Sequence, residues 1–556
     1  MLTPIRPWLI QQTVNVYIAK GLTELLIQVT VIQVGLLLLE TLIRFLFSFQ
    51  TAWLGQAVVK DLRVNVFDHI THLNLRQFDR TPIGTLTTRT INDLESINDV
   101  FADGLIPILA DLLSIACVLT YMFWADWQLT LIALIPFPIL LIATYFFKES
   151  TRRSFQKVRN AVADLNAFVQ EHLTGMSLVQ AFVAEDREKK KFDRINKRHR
   201  DANIQAIFAY SVFFPVVEIV LALSIGAVVW WTSHEALIRH ESRQGVVISF
   251  ILCLNLLFRP LRMIADKFNV LQMGVIAGER VFKVLDTNDR LAETIDPVPI
   301  TKPIAGDIKF QSVHFSYLPD QPVLRNISFE VRPGETLAIV GATGSGKSTI
   351  INLLTRLYPL DSGQILLDEV PIERYDWRSL RGQIGVVLQD VFLFSGTIKE
   401  NLTLHNPSIT QEKIEAAARL IGMHDFISSL PLGYDQPVME RGSNLSLGQR
   451  QLLSFVRALL YDPSVLILDE ATSSVDPESE RLIQQAIDTL IKGRTSIVVA
   501  HRLSTIRKAD RILVLGKGEI LESGNHEELI QRGGVYAQMV NTAGSTGLLQ
   551  DSVPTS

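Results

Sequence analysis

A chain of 556 residues with 48% apolar residues and a mean hydropathy of +0.24 is too long for one domain and too apolar for an ordinary soluble enzyme. Its net charge of −4, with no basic block in either half, argues against a surface that tracks nucleic acid. The two cysteines, Cys117 and Cys253, lie inside apolar runs, where a thiol acts as a small buried hydrophobe, so neither a disulfide nor a metal site is expected.

The apolar excess is concentrated in the first half, in the runs Leu25 to Val59, Leu105 to Trp124, Trp127 to Phe147, Phe208 to Trp231 and Val246 to Phe258. Several reach the ~20 residues that a helix needs to cross a bilayer. Between Lys148 and Asp201 there are thirteen Lys and Arg, whereas the turn Ala125-Asp126 has none. Basic loops stay on the cytoplasmic side, so Lys148 to Asp201, Lys60 to Phe101 and everything after the last span are expected there. Ser233 to Gln244 falls outside, with Arg239 and Arg243 as mild exceptions. This count puts Met1 outside, which leads to the expectation that the chain begins near the outer end of a first helix whose bulk is absent.

The two cytoplasmic stretches are charged and helix-like, and each breaks near its middle, at Arg80-Thr81-Pro82-Ile83-Gly84 and at Leu173-Thr174-Gly175-Met176. Such breaks turn long helices into hairpins, and a short helix across each tip is expected to touch the soluble half. Within the spans, Glu40 and Arg44 are one helical turn apart and are expected to pair. For Asp111 and Glu218 the sequence offers no obvious partner one helical turn away, which leaves a cavity role and interhelical hydrogen bonding both open. Phe213, Phe214 and Trp230 suit either an apolar site or lipid contact.

From about Gly306 the apolar runs are short and separated by turns, as in an α/β domain. The fold expected is thus an all-α polytopic transmembrane domain (1–285), a linker (286–305), an α/β nucleotide-binding domain (306–541) and a polar tail (542–556). The strand-like run Thr336 to Val340 leads into GATGSGKST, Gly341 to Thr349, and then into a helix-like run, Ile350 to Leu357. This is the pattern of a phosphate-binding loop. The backbone of Gly341, Ala342, Thr343, Gly344, Ser345 and Gly346 curls around phosphate oxygens, Lys347 reaches the β- and γ-phosphates, and Ser348 offers a hydroxyl to Mg2+ ahead of Thr349.

Further on, VLILDE (Val465 to Glu470) is an apolar strand ending in two carboxylates. Asp469 is suited to the Mg2+ shell, partly through water, and Glu470 to polarising an attacking water as general base. Gln389 follows another apolar strand and suits the metal and water positions, and His501 follows the strand Ser496 to Ala500 as a donor to the γ-phosphate. In LSLGQRQ, residues Leu445, Ser446, Leu447, Gly448 and Gln449 precede the helix-like run Leu452 to Leu460. Ser446 and the backbone at Gly448 form a second helix N-terminus suited to an anion.

These motifs together resemble the ATP-binding cassette family over nearly the whole chain. The resemblance implies that Tyr317 stacks on adenine, that Ser473 and Asp476 belong to a dimer loop, and that two cassettes pair head to tail. Each ATP then lies between one cassette's phosphate loop and the other's signature. LFSGTIKENL (Leu393 to Leu402), MERG (Met439 to Gly442) and the fused membrane domain look like the exporter branch. Leu447 departs from the glycine most common there. The function implied is ATP-driven export of a hydrophobic or amphipathic drug, lipid or peptide by a half-transporter working with a second half in the membrane. An ATP-gated channel and an inactive truncated half are the alternatives.

Overall fold

The computed structural model describes residues 3–239, 244–290, 296–300, 304–469, 477–500 and 502–543. The chain divides into two compact units, Met1–Thr71 with Pro82–Asn288, and His72–Thr81 with Asp289–Ser556. The division is not contiguous in sequence. The ten residues of the first hairpin tip cluster with the second unit.

Among the described residues of the first unit, five helices are long and apolar enough to cross a membrane: Thr23–Thr71, Ile83–Ala125, Trp127–Thr174, Glu185–Leu237 and Gln244–Leu261. The first has 49 residues, which at 1.5 Å per residue is roughly 73 Å, far more than the ~30 Å hydrocarbon layer. A shorter helix, Ile5–Gln12, continues as a π-turn, Thr13–Ile18. Asp126 separates the second and third spans, and its extended backbone lets the carboxylate accept the Leu129 amide at 3.0 Å, capping the helix that starts at Trp127.

Side chains far apart in sequence fasten these helices. Lys267 on Gln244–Leu285 pairs with Asp111 on Ile106–Ala125. The lack of a local partner for Asp111 is thus met by a long-range one, 156 positions away. Glu40 pairs with Arg44 at 3.3 Å, as its spacing suggests, and also faces Arg6 at 3.7 Å. Tyr121 donates to Gln11 at 2.7 Å and shares a 2.8 Å hydrogen bond with Ser249, tying three helices through polar groups. Gly274 marks a close helix approach, since a Cβ there would lie 1.8 Å from Cγ2 of Val100. The long helix of the second span is interrupted in its first half by π-turns at Arg89–Asp93 and Val100–Leu105. No residue type announces them, because each depends on the neighbour the helix meets.

The tips differ in detail from their expected form. The first is a helix, Leu75–Arg80, that ends at the first residue of its break. Thr81 precedes Pro82 and is extended at φ −116 and ψ 115, as the proline ring requires, so the helix stops at Arg80. The second, Met176–Ala181, lies after its break, and Leu178, Phe182 and Val183 are exposed beside it.

In the second unit a six-stranded sheet runs in the order Glu519–Gly524, Arg511–Gly516, Thr336–Gly341, Thr495–Val499, Val465–Asp469, Ile384–Val387. All neighbours are parallel except the first pair. A four-stranded antiparallel sheet contains Pro322–Val331, Ile308–Ser316, Ser362–Leu367 and Val370–Pro371 in that order. Strand alternation divides the core in two. Leu337 and Ile339 face the antiparallel sheet with Ile467 and Val499, whereas Ala338 and Val340 pack with Leu466, Leu468 and Val498 against the helical side. Linker residue Val298 bridges Tyr375, and Arg290 bridges Leu73, so the expected linker is partly built into this unit.

Candidate functional site

In a parallel sheet the carboxyl ends of all strands share one edge, where ligands of α/β folds collect. Ile339, Val499 and Asp469 stand in register on adjacent strands. The phosphate loop and Asp469 therefore leave the sheet two strand positions apart, on the order of 10 Å at ~4.8 Å per strand. This register brings together residues more than 120 positions apart in sequence.

The loop follows directly from its glycines. Gly346 sits at φ +103 as the N-cap of the helix Lys347–Leu354, and a Cβ there would come within 2.5 Å of Leu324. The helix thus begins at Lys347, earlier than the apolar run suggests, with Lys347, Ser348 and Thr349 in its first turn. Lys347 is only 8% exposed, and its ammonium donates to the carbonyls of Gly341 at 2.7 Å and Ala342 at 3.0 Å. Ser345 Oγ is buried without a hydrogen-bond partner, a donor that a phosphate oxygen would satisfy. Three glycines, a buried ammonium and an orphan hydroxyl around one helix start fit a polyphosphate.

Ser348 Oγ donates to Asp469 Oδ2 at 3.5 Å. Burial raises the Asp469 carboxyl above the ordinary range; the Lys347 charge and the Ser348 hydroxyl lower it, and Asp390 raises it further. A hydroxyl and a desolvated carboxylate with a second carboxylate nearby are hard oxygen donors that fit Mg2+. Among the described residues no three His, Cys, Asp or Glu side chains gather as a metal cage. A Mg2+ held by Ser348 and Asp469 would share its shell with phosphate and water. Gln389 lies exposed at the same edge, two residues beyond the strand Ile384–Val387. Glu470, Ser473, Asp476 and His501 lie outside the described residues.

Tyr317 follows the strand Ile308–Ser316, and its hydroxyl donates to Thr349 at 3.3 Å and accepts from Asn352 at 3.2 Å. Phe315 and Tyr358 stand perpendicular to its ring, with centroids 4.8 and 5.1 Å away. The aromatic is thus fixed against the phosphate-loop helix. Sequence reasoning missed Asn352, Asp390 and Tyr358. Asn352 and Tyr358 belong to no motif and matter only through what they touch, and Asp390, next to Gln389, matters through its charge on Asp469.

At the signature, Ser446 caps the helix Leu447–Leu460 through a reciprocal box: its hydroxyl accepts the Gln449 amide at 3.2 Å, and its own amide donates to Gln449 Oε1 at 3.0 Å. The helix starts inside the motif, five residues before the run that composition marks. Leu445 is partly buried against the helical core and Gly448 is buried, whereas Ser446 and Leu447, the latter 41% exposed, face solvent. Leucine in place of glycine therefore meets no packing conflict within this chain. LFSGTIKENL also has a structural role. Thr397 and Glu400 form a capping box, Asn401 clasps both backbone groups of Phe394 at 2.8 Å, and Arg457 of the signature helix donates to the Asn401 carbonyl at 2.9 Å.

Comparison with known proteins agrees with this geometry. Residues 1–261 match the family described as ABC transporter transmembrane region, and residues 324–473 match the family described as ABC transporter. The chain is 40% identical over 527 residues to the uncharacterized ABC transporter ATP-binding protein YknV of Bacillus subtilis strain 168, covering 95% of this chain and 87% of that one. It is 36% identical to the ATP-dependent lipid A-core flippase of Syntrophus aciditrophicus strain SB, covering 88% and 81%. A solved structure of a bacterial Atm1-family ABC exporter with ATP bound superposes with a TM-score of 0.76 at 28% identity, covering 97% and 95%. With a helical membrane region and one cassette in a single polypeptide, this chain belongs to the ABC transporter family as an ATP-driven half-transporter of the multidrug and lipid exporter type, a multi-pass membrane protein with a cytoplasmic ATPase domain.

Proposed function

We propose that the chain acts as one of two paired half-transporters that export a hydrophobic or amphipathic compound by alternating access. The observation that carries this reading is the capped, exposed helix start at Ser446, a second anion site besides the phosphate loop. One nucleotide held between the loop of one chain and the signature of another would use both. Gly341 to Thr349 bind the phosphates, with Lys347 leaving its loop carbonyls for the β- and γ-phosphates, and Tyr317 stacks on adenine. Ser348, Asp469 and Gln389 are the residues that would hold Mg2+, which supplies charge neutralisation at phosphate oxygens. Glu470 takes the proton of the attacking water, His501 donates to the γ-phosphate, and Ser473 and Asp476 contact the opposing cassette.

Nucleotide binding favours the paired state and hydrolysis releases it, which is the differential affinity that a two-state transport cycle needs. The exposed apolar side chains Leu178, Phe182 and Val183 at the second tip give that tip a surface to seat on a cassette. On the membrane side, Arg6, Glu40 and Arg259 share a cavity of about 410 Å3 with Ile10, Leu252 and Leu256. A wall that mixes charged and polar groups with apolar side chains suits an amphipathic compound.

The deciding test mixes chains carrying Ala342→Cys with chains carrying Ser446→Cys in lipid vesicles. Disulfide-linked pairs of unlike chains should form with MgATP and vanadate and not without nucleotide. Absence of the link in vesicles that still hydrolyse ATP would refute the composite site.

A further inference from the structure

We infer that Tyr358 is a positioning residue that passes occupancy of the adenine face of Tyr317 to the short helix Leu75–Arg80. The inference rests on the reading of Tyr317 as the adenine-stacking residue.

Tyr358 is 4% exposed, and its ring stands edge-on to Tyr317 at 5.1 Å and 89°. Its hydroxyl donates to Oδ2 of Asp79, in the last turn of the Leu75–Arg80 helix. A phenol bonded to a carboxylate makes a charge-assisted hydrogen bond, stronger and more directional than a neutral one. Tyr317 is held on its other side by Phe315, at 4.8 Å and 88°, and at its hydroxyl by Thr349 and Asn352. Aromatic pairs in edge-to-face geometry resist tilting. A base stacked on Tyr317 therefore restrains Tyr358 as well, and through it Asp79.

The start of the same segment is fixed separately. The Asn74 amide donates to the Asp289 carbonyl at 2.8 Å, the Gln77 side chain to the Asp289 carboxylate at 3.1 Å, and Leu73 bridges Arg290. These contacts hold the start of the helix, and Tyr358 holds its last turn. That end continues covalently through Pro82 into the span Ile83–Ala125. Restraint by the base reaches a membrane helix along the chain itself.

The test is hydrogen exchange of residues 72–81 in the full chain in lipid nanodiscs, at saturating Mg2+ with either AMP-PNP or inorganic tripolyphosphate. AMP-PNP should slow exchange at 75–80 about fivefold more than tripolyphosphate does, the factor that one net hydrogen bond is worth. Tyr358→Phe, which keeps the ring edge, should erase that difference, and so should Asp79→Ala. A helix that is merely loosened would exchange faster in both ligands alike and keep the difference. A base-dependent difference that survives in both variants, or full slowing by tripolyphosphate alone, overturns the relay. Affinity for a fluorescent ATP analogue in Tyr317→Ala tests the underlying reading: unchanged affinity removes adenine stacking and the relay with it, whereas weakened affinity with a surviving difference removes the relay alone.

Discussion

Ser348 and Asp469 face each other at 3.5 Å, hydroxyl to carboxylate, across the carboxyl edge of the parallel sheet. One is in the first turn of a helix and the other is the last residue of a strand two places away.

Asp469→Asn should abolish Mg2+-dependent ATP hydrolysis, a loss on the order of a hundredfold or more, because a metal contact is worth several kcal/mol in the transition state. The pH sign follows from burial, which raises this carboxyl above its ordinary value. A carboxyl raised on folding binds its proton more tightly in the native state, so its ionisation lowers stability as pH rises from the ordinary value through the raised one. Nucleotide-free Asp469→Asn should therefore melt higher than wild type at neutral pH while losing the stabilisation given by MgATP. Thermal melts with and without MgATP check both parts.

Glu470→Gln should bind ATP as wild type does and turn over about 10²- to 10⁴-fold more slowly, the range for a lost general base. Full ATPase activity in the purified variant would refute the assignment.

Lys347→Ala should weaken ATP binding by roughly tenfold to a hundredfold, as expected for charge-assisted hydrogen bonds of about 1.5–3 kcal/mol. Equilibrium binding of a fluorescent ATP analogue measures it, and unchanged affinity would leave the ammonium a merely structural link between loop carbonyls.

Asp111→Ala should lower the melting temperature in detergent, costing ~1–3 kcal/mol by leaving the ammonium of Lys267, 19% exposed, without its carboxylate. The double variant Asp111→Ala with Lys267→Met should regain most of that loss. If the double variant is no more stable than the single one, the pair is not what holds these helices.

Gly274→Ala should be destabilising by ~1–3 kcal/mol, since the added methyl would overlap Val100 and crowd the Ser96 carbonyl at 2.9 Å. Combining it with Val100→Ala should restore part of the melting temperature. An unchanged melt in the single variant would mean that the two helices separate there at little cost.

The sequence alone determined the fold class and marked the segments proposed to hold the nucleotide. Apolar run length reports a bilayer crossing, and period-two and helical patterns report buried strands and helices, because these signals arise within a few neighbouring residues. The phosphate loop, the acidic strand and the signature were legible for the same reason, since each is a local backbone geometry with its own residue demands. Tertiary structure alone decided which distant residues meet. Sheet register brings Ser348 to Asp469, helix packing gives Asp111 its partner in Lys267, and the fold sets Tyr358 between Tyr317 and Asp79. It also placed the first tip helix before Pro82 and opened π-turns at positions that no residue type marks. Such contacts join positions scores to hundreds of residues apart, and their partners are chosen by packing and by the need to satisfy buried polar groups, which no short stretch of sequence encodes.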